Sequence, residues 1–247
     1  KMKTTLIGMP EIKAVAETIS IHANEYELGF KKKPTYIVLL DKGQGRTGVL
    51  EYLADVYNEK TVFPSGLDSY IEFENIEATM SAVEELGIRL SDSAIYKPYY
   101  EEVCGVDICK FAYHLNELQT DLVIKLLKEA SEHCFMLFFF PQEPNKSEQR
   151  LIDRLCDALD ISSTIEATPY SAKDYAEIVI KHYKEEAYAD FIGVDFSAFK
   201  RQLSANMKNV SSLSEAFKIG ESFFDKNLSK LTTSLYVDEI KNEEVKR

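Results

Sequence analysis

The stretch Tyr36–Gly48 reads YIVLLDKGQGRTG and places glycines, a cation and a hydroxyl directly after an apolar run. Glycines in such a position let successive backbone N–H groups converge on a phosphate at the start of a helix. In the phosphate-binding pattern GxxxxGK[ST], a lysine then contacts the outer phosphates and a Ser or Thr hydroxyl binds Mg²⁺. The chemistry open to this stretch is therefore the binding of a nucleoside polyphosphate.

The match to that pattern is partial. Gly45 and Thr47 fit and Gly43 is an additional glycine, but Arg46 replaces the lysine and Leu40 the first glycine. Arginine is longer, planar and forked, so it does not reproduce the fit of lysine between phosphates. A tight strand-to-helix turn that binds no ligand is the alternative interpretation. The candidate cofactor-binding residues are Gly43, Gln44, Gly45, Arg46, Thr47 and Gly48.

The elements around this loop can be predicted from the spacing of apolar residues. Apolar residues recur near helical spacing between Met9 and Leu28, which predicts a leading helix that ends near Gly29. The continuous apolar run Tyr36–Leu40 predicts a strand buried on both faces. The apolar residues after the loop predict a helix running to about residue 58.

Further apolar runs have the length of strands, and helical patterns separate most of them. This alternation predicts an α/β fold with a mostly parallel sheet that helices cover on both sides. The run CFMLFFF is apolar at every position, which predicts the central strand. The predicted strands after the first are Tyr70–Phe73, Val103–Cys109, Cys134–Phe140 and Thr164–Thr168.

The last part of the chain has the pattern of one helix after another. Ser171 can cap a helix whose inner face carries Tyr175 and Val179. Two further helices are predicted around residues 196–203 and 213–224. We expect an α/β domain over 1–169, a small all-helical domain over 170–230 and a charged tail over 231–247.

Composition argues against a nucleic-acid or membrane partner. The chain has 41 acidic and 29 basic residues, so a net charge of -12 would repel a phosphate polymer. The short basic run Lys31–Lys33 is interpreted as a solvated turn. No apolar run approaches the ~20 residues that span a bilayer, and no leader pattern opens the chain. We therefore expect a cytoplasmic location.

The cysteines indicate neither a disulfide framework nor a metal clip. They are four and scattered, which favours free thiols in a reducing compartment. His133 and Cys134 are adjacent, but no second pair completes a tetrahedral metal site, so no metal is expected. Cys104 and His114 could form a thiol–imidazole pair, but packing is the favoured interpretation of both.

Three stretches resemble one known family. They are LIGMPEIKAVAETI, YIVLLDKGQGRTGVLEYLADVY and TPYSAKDYAEIVIKHYKEEAY. Together they resemble an AAA+ ATPase module, nearest the group of CbxX Rubisco-activase-like proteins and stage V sporulation protein K, over roughly residues 5 to 225. The resemblance implies a P-loop NTPase-like fold with a five-stranded parallel sheet of order 5-1-4-3-2 and a helical lid. It also implies a ring of six subunits with ATP at the seams.

The second acidic motif of that family is altered here. Its Walker B strand ends in Asp-Glu, where the aspartate supports Mg²⁺ and the glutamate orients the attacking water. In the family these two acids are commonly followed by Ala-Tyr. The stretch GVDICKFAYHL has Ala112 and Tyr113 at those positions, which puts Lys110 and Phe111 in place of the acids. Asp107 is offset by three positions, so we expect it to face the other side of the strand.

The remaining catalytic positions of the family also differ. The sensor 1 position offers only Gln142 as a nearby amide, and the Asn209-Val210 step of sensor 2 is followed by serines instead of arginine. The finger position, residues 158–162, holds no arginine, and the nearest, Arg150 and Arg154, lie on a predicted helix. The resemblance therefore implies no catalytic residue and no metal ligand.

The sequence thus predicts a degenerate, hydrolysis-deficient AAA+ protein that binds ATP or ADP weakly, with Mg²⁺ not expected. It would act as a scaffold, regulatory or assembly subunit with protein partners, either active AAA+ relatives or copies of itself in a ring. One alternative is a slow but active AAA+ ATPase that drives protein remodelling, with Arg46 and Thr47 on the phosphates. The other is an α/β interaction domain whose loop is only a turn.

Overall fold

The structure is a computed structural model that describes residues 5–60, 70–73, 103–109, 115–132, 134–187 and 197–227. The chain divides into two compact units, Lys1–Pro169 and Tyr170–Arg247. In the described residues, the first unit holds a β-sheet with helices, and the second is helical.

Five parallel strands form one sheet in the first unit, in the order β2-β3-β4-β1-β5, or 5-1-4-3-2 from the other edge. The prediction of a parallel α/β sheet is confirmed. Strand β5 begins and ends earlier than the predicted strand Thr164–Thr168. Only one of its six residues is buried, so its apolar residues gave a weak signal. The strands are β1 Thr35–Leu39, β2 Tyr70–Phe73, β3 Val103–Val106, β4 Phe135–Phe140 and β5 Ile161–Glu166.

Helices alternate with these strands and then follow them. In the first unit they are α1 Pro10–Glu27, α2 Arg46–Lys60, α3 Glu117–Ser131 and α4 Lys146–Ala158. In the second they are α5 Ala172–His182, a π-helical turn Tyr183–Ala187, α6 Ser197–Asn206 and α7 over 213–227. No helix in the described ranges is both long enough and apolar enough to cross a membrane.

Helix α1 ends just before Gly29, as the sequence predicts. Gly29 has a left-handed backbone with φ of 73°, and its N–H donates to the Tyr26 carbonyl over 3.2 Å. The N–H of Phe30 donates to the Glu25 carbonyl over 2.9 Å. This pair of bonds is a Schellman motif, which satisfies carbonyls that the helix end would leave without partners.

Helices cover both faces of the sheet. Tyr26 of α1 and Tyr57 of α2 meet the Phe135 ring edge-on, with centroids 5.2 and 4.9 Å away. Since α3 and α4 cover the other face, β4 is buried at every position, as its apolar run predicts. The buried cluster on that other face includes Cys104, Val106, Ile124, Leu127, Met136, Phe138, Leu151 and Leu155.

The basic run before β1 is not a solvated turn throughout. Lys33 is only 6% exposed, and its Nζ atom lies 5.5 Å from the Tyr57 ring centroid and 5.7 Å from that of Phe135. Lys32 pairs with Glu132 over 3.0 Å. The charge of Lys33 is accommodated by aromatic faces at cation–π distance, which a reading of the charges alone does not predict.

The second unit has its own apolar core. Ser171 caps α5 as predicted: its side chain accepts from the Asp174 N–H, and Asp174 accepts from the Ser171 N–H. This capping box begins a helix that buries Tyr175 and Val179. A Cβ atom at Gly220 would lie 2.3 Å from Val179 Cγ1, so α7 packs closely on α5.

Candidate functional site

The glycine loop connects the end of β1 to the start of α2. Leu40, which replaces the first glycine of the pattern, is fully buried, and its N–H donates to the Phe140 carbonyl over 2.8 Å. Gly43 and Gly45 have φ values of 84° and 86°. Residues with a Cβ rarely adopt this left-handed conformation, so the turn into α2 depends on these two glycines.

Arg46, the first residue of α2, has its guanidinium beneath the loop. Its Nε and Nη2 atoms donate to the Leu40 carbonyl over 2.9 and 2.6 Å. Nη1 donates to Asp107 Oδ2 over 2.9 Å, which makes an ion pair. The guanidinium carbon lies 5.3 Å from the centroid of the Phe139 ring. Because Arg46 is only 8% exposed, its charged group makes contacts inside the protein.

Asp107 directly follows β3, and its carboxylate lies beneath the loop. The expectation that this side chain faces the other side of the strand is therefore wrong. The strand ends at Val106, whereas the prediction extended it to Cys109. Asp107 is two residues beyond Gly105, which faces Leu50 of α2, and side chains two apart in a strand share a face. The signal that could have found Asp107 is the short apolar run VCGV directly before it.

The residue after Asp107 is Ile108, which is helical and 1% exposed. The side chain of an isoleucine has no oxygen for a water molecule or a metal ion. The residues that align with the end of Walker B and beyond, Lys110, Phe111, Ala112 and Tyr113, lie outside the described residues. What the sequence predicts for those four residues stays a prediction.

The loops after β1, β4 and β5 are joined by hydrogen bonds at the carboxyl edge of the sheet. Asp41 Oδ1 accepts from the Gln142 N–H over 3.0 Å. The Gln142 side-chain amide donates to the Ala167 carbonyl over 2.7 Å, and the Ala167 N–H donates to the Leu39 carbonyl over 3.1 Å. The amide proposed for sensor 1 thus contacts a backbone carbonyl of the neighbouring loop.

The arrangement suits a phosphate better than a metal ion. The glycine turn leads into a helix N-terminus, whose N–H groups and dipole favour an anion. Thr47 is exposed in the first turn of α2, and Gly48 has open space where a side chain would be. Mg²⁺ prefers carboxylate and other oxygen ligands. Asp107 pairs with Arg46, and the described residues contain no group of three metal-binding side chains.

The other positions compared with the family have structural contacts. The Ser212 hydroxyl accepts from the Glu215 N–H over 3.3 Å, and Glu215 accepts from the Ser211 N–H over 3.1 Å, so these serines begin α7. Arg150 and Arg154 lie on α4, as predicted. Arg154 donates to Asp121 Oδ1 over 2.5 Å.

A second concave region lies between the first turns of α3 and α4, and Cys109 forms part of its wall. Burial raises the pKa of the Cys109 thiol to about 12, with Glu148 and Asp107 adding to the shift. The thiol is therefore protonated at neutral pH and a poor nucleophile. Cys109, Cys104 and Cys134 are buried free thiols and Cys156 is an exposed one. The lining includes Cys109, Leu115, Thr120, Glu148, Arg150 and Arg154.

The fold has relatives among solved structures. The chain is similar to C. elegans PCH-2, at 10% identity and a TM-score of 0.49, over 89% of this chain and 69% of that one. It is also similar to katanin in a structure concerned with katanin self-assembly, at 12% identity and a TM-score of 0.52, over 86% of this chain and 66% of that one. The likeness to katanin is a likeness of fold alone. No family model matches the chain, and no curated protein matches it significantly.

Proposed function

We propose that this chain is a degenerate AAA+ subunit that binds the phosphates of ATP or ADP weakly at residues 43–48 and hydrolyses them little. Its role is then that of a scaffold, regulatory or assembly subunit. The observation that carries this proposal is the ion pair between Arg46 and Asp107, because it joins the cation at the lysine position of the pattern to a carboxylate of the protein. Neither charge is then directed at a ligand.

The effect on hydrolysis follows from what phosphoryl transfer requires. Such enzymes accelerate the reaction by positioning and by charge stabilisation, and an arginine finger alone contributes about 10³–10⁵ in rate. If Asp107 takes the place of the Walker B aspartate, the water-orienting glutamate is replaced by the buried Ile108. The glycine turn and helix N-terminus remain, so phosphate binding can persist when hydrolysis is lost.

The proposal extends to the second unit and to the partners. We assign residues 170–230 as the helical lid and 231–247 as a charged tail. The capped helix α5 and its separate apolar core support the lid assignment. Active AAA+ relatives or copies of the chain itself, arranged in a ring, are the proposed partners.

Calorimetric titration with ATP and ADP, beside a phosphate-release assay, tests the proposal. We expect weak binding, and Gly45→Ala should weaken it further because φ of 86° suits glycine. Gly29→Ala is the matched control, since it has φ of +73° at the end of α1, away from the loop. Release of about one phosphate per second by the pure chain, the low end for such enzymes, would refute the loss of hydrolysis.

A slow but active ATPase is the second candidate, and the position of Asp107 favours it. The carboxylate lies beneath the glycine loop, and it would be open to a metal ion if Arg46 left it. This candidate predicts phosphate release that Asp107→Asn and Arg46→Ala each abolish. Release at the level of a buffer blank in the wild type, with ATP bound, rules it out.

A further inference from the structure

The ion pair between Arg46 and Asp107 conflicts with the metal ion that the AAA+ resemblance implies. Mg²⁺ binds carboxylate oxygens at about 2.0–2.1 Å in octahedral geometry. Asp107 Oδ2 already lies 2.9 Å from Arg46 Nη1. A divalent cation at the same carboxylate would also be repelled by the neighbouring guanidinium. The residues as they lie therefore do not fit Mg²⁺.

Several contacts keep the guanidinium on Asp107. Two of its nitrogens donate to the Leu40 carbonyl, and its carbon lies 5.3 Å from the centroid of the Phe139 ring. Leu40 is itself fixed, because its N–H continues the hydrogen bonding to β4. The side chains of Arg46 and Asp107 are 9% and 19% exposed, so water replaces a broken contact poorly. The pair is thus part of the packed interior.

The backbone places the two charges side by side. Gly105 lets α2 lie close to β3, since a Cβ atom there would be 2.4 Å from Leu50 Cδ1. Arg46 is the first residue of that helix, and Asp107 is the first residue after that strand. The approach of helix to strand therefore brings the base and the acid to the same edge of the sheet.

We propose that Arg46 sets the metal dependence of the glycine loop: it occupies Asp107, so the loop takes a metal-free phosphate ligand such as ATP or ADP without Mg²⁺. The inference rests on the proposed function, since it concerns the same loop. It differs from a simple loss of affinity, because it predicts that a change at one arginine restores Mg²⁺ dependence.

The experiment measures ATP affinity by calorimetry in two buffers, one with Mg²⁺ and one with EDTA. The proteins are the wild type, Arg46→Gln, Arg46→Lys, the double variant Arg46→Gln/Asp107→Asn, and Arg201→Gln. Arg201 is an exposed residue of α6, so this control removes the same charge elsewhere. Circular dichroism melting checks that each variant folds. If Arg46→Gln does not fold, Arg46→Lys, which retains a positive charge, takes its place in the comparison.

We expect the wild type and Arg201→Gln to bind ATP no more tightly with Mg²⁺ than with EDTA. The two single Arg46 variants should bind ATP about tenfold more tightly with Mg²⁺, within the range that groups around a metal typically contribute. The double variant should lose this gain, since it lacks the carboxylate. A wild type that binds about tenfold more tightly with Mg²⁺, or Arg46 variants without a gain, overturns the inference.

The two proposals fail in different ways. If the wild type binds no ATP in either buffer but the Arg46 variants bind it with Mg²⁺, the proposed nucleotide function fails and the inference stands. If no variant binds ATP, Mn²⁺ alone is titrated and its free fraction is followed by electron paramagnetic resonance. Greater retention of Mn²⁺ by Arg46→Lys than by the wild type then supports the inference, and equal retention overturns it.

Discussion

Arg46 has the charge that a phosphate-binding loop requires, but its hydrogen bonds run to Leu40 and Asp107 inside the protein. A lysine at this position would offer one compact charge on a flexible stem. The planar guanidinium can instead donate to a carbonyl and a carboxylate at once. The guanidinium therefore makes it possible for one side chain to contact both acceptors.

Replacing Asp107 tests the energetic role of this pair. We expect Asp107→Asn to lower the free energy of unfolding by about 1.5–3 kcal/mol, because a buried guanidinium loses its charged partner. Urea unfolding followed by circular dichroism measures the change. The exposed Asp157 of α4 provides the control, and Asp157→Asn should change stability by no more than about 0.5 kcal/mol. Equal effects of the two substitutions would contradict the role of the pair.

The glycines of the loop differ in their backbone requirements. We expect Gly43→Ala and Gly45→Ala each to cost about 1–2 kcal/mol, because alanine is strained at φ near 85°. Gly48→Ala, within α2 and next to open space, should be neutral or stabilise by up to about 1 kcal/mol. Thermal unfolding of the three variants measures the contrast. A loop that tolerates alanine at residue 45 as well as at residue 48 would argue against the observed turn.

Among the elements, the contact of α2 with β3 positions the site. Gly105→Ala would put a Cβ atom 2.4 Å from Leu50 Cδ1 and 3.1 Å from Phe139 Cε2. We expect a loss of about 1–3 kcal/mol, which is typical of overpacking. Urea unfolding of Gly105→Ala, Leu50→Ala and the double variant forms a cycle. The double variant should lose less than the sum of the single losses, because the smaller side chain makes room; strict additivity would contradict this packing.

The start of α1 is linked to the segment after β5 by Glu11. Its carboxylate accepts from the Thr168 N–H over 3.1 Å and from the Thr168 hydroxyl over 2.6 Å. Burial by itself raises the pKa of Glu11, but the hydrogen bonds outweigh it and the pKa lies below 4.5. A lowered pKa in the folded state means that the contribution to stability is present above pH 4.5 and is lost as the pH falls through the folded value.

We therefore expect Glu11→Gln to flatten the loss of stability on the acid side of pH 4.5. The measurement is the unfolding midpoint in urea at a series of pH values between neutral and acid. Glu17→Gln is the control, since Glu17 is exposed on the same helix. Identical acid profiles for the wild type and Glu11→Gln would show that the link does not depend on this carboxylate.

For the whole molecule, the net charge of -12 bears on assembly. Copies of an acidic chain repel one another, and salt screens this repulsion. If the chain forms the proposed ring, we expect sedimentation velocity to show larger assemblies at high salt than at low salt. Assemblies that dissociate as salt is added would instead indicate ion pairs across the subunit contact.

Much of the fold could be predicted from the sequence because its signals are local. The end of α1 needs a glycine, the cap of α5 needs a serine, and the central strand β4 needs an unbroken apolar run. The edge strand β5 gave a weaker signal, because ISSTIE is mostly exposed and polar. Cytoplasmic location, protein partners and membership of the AAA+ family stay predictions.

By itself, the sequence determined where helices and strands alternate and where the glycine turn lies, because periodicity and turn chemistry act over a few neighbouring residues. The direction of the Arg46 side chain was decided only by the tertiary structure. Its acceptor Asp107 is 61 residues away in the chain. The two meet because β3 ends at Val106 and because Gly105, which has no side chain, lets α2 pack close to β3. Such a contact depends on the packing of a helix against a strand, which no local pattern of residues records.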